Sequence, residues 1–197
     1  MSSPQAAVRY FEKMYEDMPT NENKYAYISA LQANGQTDRA LHQMDELLKK
    51  FSKNLILNIT KSEILLSGQR LNEAQENIDQ VLNIAPGNYP ASIIKSKILS
   101  SKKEFIKAEE ILRDLLIGKN RDPGLWIQLS EVQRAGKNIV GYHLSRGEYY
   151  TLIGDFDNAL NQFQFALGLS GNSFQTSETI MTKIKFAKER LGKRRGF

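Results

Sequence analysis

The chain has 197 residues, 41% of them hydrophobic, and no cysteine, which excludes disulfides and any thiolate nucleophile or metal ligand. No run reaches the roughly 18 apolar residues of a membrane span, and the start, Met1-Ser2-Ser3-Pro4-Gln5, lacks the charged-then-apolar layout of a signal peptide. The net charge of +5 is local: residues 183–197 hold seven basic side chains and one acidic, so the rest of the chain sums to about −1.

In chain order, Pro4 to Met18 predicts one amphipathic helix, with Ala7, Phe11 and Met14 on one face and Pro19 twelve residues after Ala7. It reads as the second half of a repeat whose first half lies upstream, and so predicts native polypeptide before Met1. Three helix pairs follow, at 21–52, 53–85 and 87–119. Ala40, Ala74 and Ala108 mark their second helices at 34-residue intervals. Gly35 lies five before Ala40. Gly68 lies six before Ala74, which predicts a turn one residue longer, and Lys103 stands where the third glycine is expected. Pro86 is placed to stop the second helix of its pair.

From 124 to 170 the pattern changes. Trp126, Leu129 and Ser130 open a first helix that Gly136 closes, yet Ala159 comes only 51 residues after Ala108, one and a half periods. The helix from about Ile139 to Leu152 therefore serves twice, as second helix of one unit and first helix of the next, with Gly141 or Tyr142 at the small-residue position. Gly147, Tyr150, Gly154, Ala159, Phe163 and Ala166 then complete the tetratricopeptide repeat (TPR) pattern. Small residues at 147 and 159 let two helix axes approach, and Gly154 supplies a left-handed turn. Residues 174–192 predict a polar capping helix. The expected fold is all-α: a single TPR-like right-handed superhelical solenoid of antiparallel helix pairs over 1–197, ending in that cap.

No His-Glu-x-x-His, cysteine pair, phosphate loop or Gly-x-Ser-x-Gly elbow is present, so no catalytic and no metal-ligating residue is predicted. His42 reads as solvated, and His143 as structural or a partner contact. A TPR array acts through the surface of its first helices. The register gives a partner-binding groove of Tyr25, Ser29, Gln32, Asn58 and Ser62, then Ile93, Lys97, Ile127, Glu131 and Arg134, and finally Glu148. The lining suits a peptide or a loop of another domain. The basic tail Lys193, Arg194 and Arg195 reads first as a solvated helix end whose cations suit the helix dipole, with contact to an anionic membrane surface, or less readily nucleic acid, as the sharper alternative.

One stretch narrows the comparison. Trp126-Ile127-Gln128-Leu129-Ser130 is followed by Gly141-Tyr142-His143-Leu144-Ser145-Arg146-Gly147-Glu148-Tyr149-Tyr150 and Gly154-Asp155-Phe156, and the chain closes on Phe174 to Leu191. With Ala7 to Phe11 and Tyr25 to Gly35, this resembles the C-terminal TPR region of bacterial periplasmic zinc metalloproteases of the beta-barrel assembly-enhancing type. The resemblance implies a periplasmic interaction module that regulates an upstream protease domain and docks substrate or outer-membrane assembly machinery. It implies zinc only in that upstream domain and no cofactor here. A freestanding TPR scaffold in another complex is the alternative.

Overall fold

The structure, a computed structural model, describes residues 3–171 and 174–195. Among them there are eleven α-helices and no strand: α1 (Pro4–Asp17), α2 (Asn21–Ala33), α3 (Thr37–Lys50), α4 (Leu55–Ser67), α5 (Leu71–Ile84), α6 (Tyr89–Ser101), α7 (Phe105–Lys119), α8 (Pro123–Ala135), α9 (Ile139–Leu152), α10 (Phe156–Leu169) and α11 (Phe174–Arg195). The helices gather into two compact units, Met1–Ile98 and Leu99–Phe197.

The turns are the regular element. After α2, α4, α6, α8 and α9 the chain takes one left-handed residue: Gly35, Gln69, Lys103, Lys137 and Gly154, with φ between 59° and 78°. Each turn closes with the same pair of bonds. The left-handed residue donates to the carbonyl three back, and the next residue donates to the carbonyl five back: Gln36 to Leu31, Arg70 to Leu65, Glu104 to Leu99, Asn138 to Gln133 and Asp155 to Tyr150, at 2.8–2.9 Å. This is the Schellman closure, which satisfies carbonyls that a helix end leaves bare.

The first four left-handed residues are 34 apart, and the fifth follows after 17. The second turn is therefore no longer than the first. The sequence expectation of an extra residue at Gly68 is corrected, because Gln69 and not Gly68 carries the positive φ. Gly68 has an ordinary φ of −81°. It is small for another reason: a Cβ there would overlap the Thr37 side chain at the start of α3. Lys103 likewise adopts the left-handed conformation without being glycine.

In the first unit Ile28, Leu31, Ala40, Met44, Ile64, Ala74 and Ile78 are fully buried. Removing each large aliphatic chain from water contributes about 1.5–3 kcal/mol. Polar links tie α1 to its neighbours. Asn23 Nδ2 donates to the carbonyls of Met14 and Met18 at the end of α1. Tyr27 donates its hydroxyl proton to Glu12 at 2.6 Å and accepts from Arg39. Burial, reinforced by the Glu12 carboxylate, pushes the Tyr27 phenol up to about 12. Two ion pairs repeat at the 34-residue period, Lys61 with Asp45 at 2.7 Å and Lys95 with Asp79 at 2.5 Å.

In the second unit α9 packs against both α8 and α10. Its buried residues are Gly141, Ser145 and Gly147. A Cβ on Gly147 would overlap the ring of Phe163, which is 1% exposed. A Cβ on Gly141 would crowd the amides of Asn138 and Gln133. Gln133 is itself buried; it donates to Glu109 at 3.0 Å and accepts from Ser145 at 2.7 Å. Burial raises the Glu109 carboxyl, but hydrogen bonds from Gln133, Arg113 and Asn138 outweigh it and hold it below its ordinary value. Ala159, Phe163, Ala166 and Ile180 form the core between α10 and α11.

Candidate partner-binding surface

The 34-residue period of the turns fixes which side chains of successive first helices are equivalent. Tyr25 on α2 corresponds to Ile59 on α4 and Ile93 on α6; Ser29 corresponds to Glu63 and Lys97; Gln32 corresponds to Leu66. Asn58 and Ser62 are therefore one residue out of register, and their surroundings agree. Ser62 is fully buried, donates to the Asn58 carbonyl and accepts from Asn77, so it is a packing residue where α4 crosses α5. Asn58 spends its amide on the carbonyls of Ser52 and Asn54 at the start of α4. Ile93 is in register but only 8% exposed.

In the first unit the remaining positions do form a surface. Ser29 and Lys97 are exposed, and Tyr25 and Gln32 half-buried. The Tyr25 hydroxyl is 3.1 Å from Thr60 Oγ1 on α4, which fixes its ring. Beside the ring opens a cavity of about 410 Å³ between the N-terminal ends of α2 and α4 and the C-terminal end of α3. Leu47, Phe51 and Leu57 form its apolar wall, and Glu22 and Asn54 its polar rim. Sequence reasoning missed Ile56, which is 69% exposed, along with Glu63 and Leu66. The signal that finds Glu63 and Leu66 is the constant spacing of Ala40, Ala74 and Ala108, which outranks the position of Gly68.

In the second unit Ile127, Glu131 and Arg134 lie on α8, where Arg134 pairs with Glu131 at 2.5 Å. Glu148 is not in line with them. It lies on α9, the helix directly after α8, and its carboxylate is taken by Lys183 on α11. Equivalent first helices are two elements apart in a pairwise array, and these two are only one apart. His42 is exposed, 3.4 Å from Glu46, and the His143 Nδ1 lies 2.8 Å from the Gln162 side-chain oxygen. Lys193 is exposed, while the side chains of Arg194 and Arg195 lie outside the described residues. Among the described residues no group of three His, Cys, Asp or Glu side chains could hold a metal ion, and no helix is long and apolar enough to cross a membrane.

No family model matches the sequence, and no curated protein matches it. Solved structures do match. A tetratricopeptide repeat protein from Parabacteroides merdae superposes with a TM-score of 0.59 at 16% identity, over 94% of this chain and 78% of that one. MamA from Desulfovibrio magneticus, residues 41 to the end, gives 0.58 at 12%, over 95% and 96%. PilF of Pseudomonas aeruginosa gives 0.57 at 14%, over 91% and 90%. At these identities the likeness establishes architecture, and the fold of this chain is an all-α, TPR-like solenoid of antiparallel helix pairs.

Proposed function

We propose that the chain is a protein-binding module that takes an extended or helical segment of a partner on the first-helix surface of its first unit. The observation that carries this reading is the cavity beside Tyr25, whose apolar wall of Leu47, Phe51 and Leu57 is left open at the surface. Apolar pockets with a polar rim anchor one large side chain of a partner and leave the surrounding contacts to exclude water. The test is Phe51→Glu together with Ile56→Glu, two exposed positions whose replacement leaves the core intact. Binding of peptides selected on the wild-type chain should weaken at least about tenfold. Unchanged affinity with an unchanged melting curve overturns this assignment.

In its finer form the proposal follows the resemblance of Trp126 to Phe156 and of the closing helix to the C-terminal region of periplasmic zinc metalloproteases. The module then docks substrate or envelope-assembly partners and regulates a protease domain on the same polypeptide, which holds the zinc, in the periplasm. An immunoblot of fractionated source cells tests it. A periplasmic band about twice the size of this chain supports the protease reading. A band at the size of this chain replaces it with a freestanding scaffold.

A further inference from the structure

Helix α9 fully buries only Gly141, Ser145 and Gly147, because α8 and α10 approach it on both flanks; Leu144 and Tyr150 pack against the α10–α11 core, and a further set of large side chains lies on the remaining face. Ile139 is 43% exposed and Ile153 50% exposed, with Tyr142, Arg146 and Tyr149 half-buried between them. The guanidinium of Arg146 lies 4.9 Å from the Tyr150 ring centre and 5.6 Å from that of Tyr149, and its Nη2 donates to the Tyr150 hydroxyl at 2.7 Å. Tyr150 is packed against the α10–α11 core, so the cradle is fixed from beneath.

Arg146 differs from the other cations. Among the described residues, the Lys and Arg side chains that are not exposed are Lys24, Lys61, Arg70, Lys95, Lys102, Arg146 and Lys183. All but Arg146 pair with a carboxylate within 4.0 Å. Glu148, two residues along the same helix, is committed to Lys183. Ring faces hold a guanidinium through their quadrupoles, but they leave its charge uncompensated and most of its N–H edges open. A planar, partly dehydrated guanidinium is the preferred partner of a carboxylate, which it grips in two parallel bonds.

We propose that the outward face of α9 is a second docking surface, which takes a partner protein segment that places an Asp or Glu carboxylate on Arg146 between apolar side chains. The single positive charge argues against nucleic acid and anionic membrane, which need several cations on one face; α9 carries no other Lys or Arg. The isoleucines and Tyr142 supply the apolar contacts on either side.

The test uses the full chain and two displayed libraries of twelve-residue peptides. They are identical except that the central residue is Glu in one and Gln in the other, flanked by randomised Leu, Ile, Phe and Trp. Wild-type protein should retain Glu peptides at least about tenfold better than their Gln twins. Arg146→Gln should abolish the preference, and Arg146→Lys should keep only part of it, since an ammonium has neither the fork nor the flat face. A second readout needs no variant: titration with the best Glu peptide should shift the Arg146 Nε–Hε resonance of ¹⁵N-labelled wild-type protein. The proposal is overturned by equal retention of the two libraries, by a Glu preference that survives Arg146→Gln, or by a silent Arg146 resonance. Loss of binding in Phe51→Glu with Arg146 unmoved would assign the peptides to the first unit instead, and would equally overturn it.

Discussion

Helices α4 and α9 are near equals in length and are closed by the same turn, yet they bury opposite things. α4, in the first unit, buries Leu57, Ile59, Ile64 and Leu65 along with Thr60 and Ser62. α9, in the second, fully buries two glycines and a serine and leaves its three tyrosines half-buried. The cause is how closely the neighbours approach. α4 meets α3 and α5 through aliphatic side chains that fill the space between axes. α9 is pressed by α8 through the Gln133–Ser145 bond and by α10 through the Phe163 ring on Gly147. Close approach removes room for side chains at 141, 145 and 147, so Ile139, Tyr142, Arg146 and Tyr149 stand on another face. Packing around α4 is thus a matter of volume, and around α9 a matter of contact between backbone and ring.

Gly147→Ala is the harshest trial of that contrast. The added methyl must displace the buried Phe163 ring, and overpacking of this kind costs about 2–3 kcal/mol. Urea unfolding should show the loss, with partial recovery in Gly147→Ala/Phe163→Leu. Gly168→Ala on α10 is the control: nothing lies near its Cβ, so it should stabilise by about 0.5–1 kcal/mol. A neutral Gly147→Ala would remove the close-approach account of α9.

Next in size is Gln133→Ala, which leaves Ser145 and Glu109 short of a partner at a cost of about 1–3 kcal/mol. It also has a pH signature. The Glu109 carboxyl is held below its ordinary value in the folded state, so its contribution is present above the unfolded carboxylate pKa and lost as pH falls through the folded one. Wild-type urea midpoints should therefore drop on acidification below about pH 4. In Gln133→Ala the Glu109 contribution to that drop should shrink and be complete at higher pH, and in Glu109→Gln it should vanish.

In the first unit the corresponding close contact is milder. Gly68→Ala meets the Thr37 side chain, which can turn away, so the loss should be about 1 kcal/mol and should be relieved by Thr37→Ala. Smallest of all are the gains expected at Gln69, Lys103 and Lys137. Glycine fits a left-handed backbone without strain, and each single replacement should raise stability by about 0.5 kcal/mol in equilibrium unfolding. A loss at any of the three would mean that its side chain has a stabilising role beyond the turn.

The fold was legible because its marks are chemical: alanines at 34-residue intervals, Pro19 and Pro86 after helices, and Gly147 with Ala159 at a crossing. The error at Asn58 and Ser62 has an equally definite cause. A glycine can be small for space or for conformation, and Gly68 is the former, while Gln69 bears the conformation with no glycine to announce it. Glu148 was misplaced because its ion pair is with Lys183, 35 residues further on, and nothing in its neighbours names that partner. The cradle of Arg146 was visible only as Arg-Gly-Glu-Tyr-Tyr. Its meaning depends on which carboxylates are already spoken for, a fact about the whole chain and not about the stretch.

The half-period step at α9 is a stacking fault in a one-dimensional lattice. Turns at 137 and 154 are the same closure, so the fault introduces no new kind of joint, only a change of parity. Counting by turn chemistry, α9 and α11 are first helices; counting by alternation from α8, they occupy the other layer. A repeat array is usually lengthened two helices at a time, which keeps one face on one side. Because the turns on both sides of α9 close on themselves with the same two bonds, a single helix placed between two such turns is a complete unit of growth. Adding or removing one exchanges the roles of the layers for everything that follows, with no new turn type to evolve.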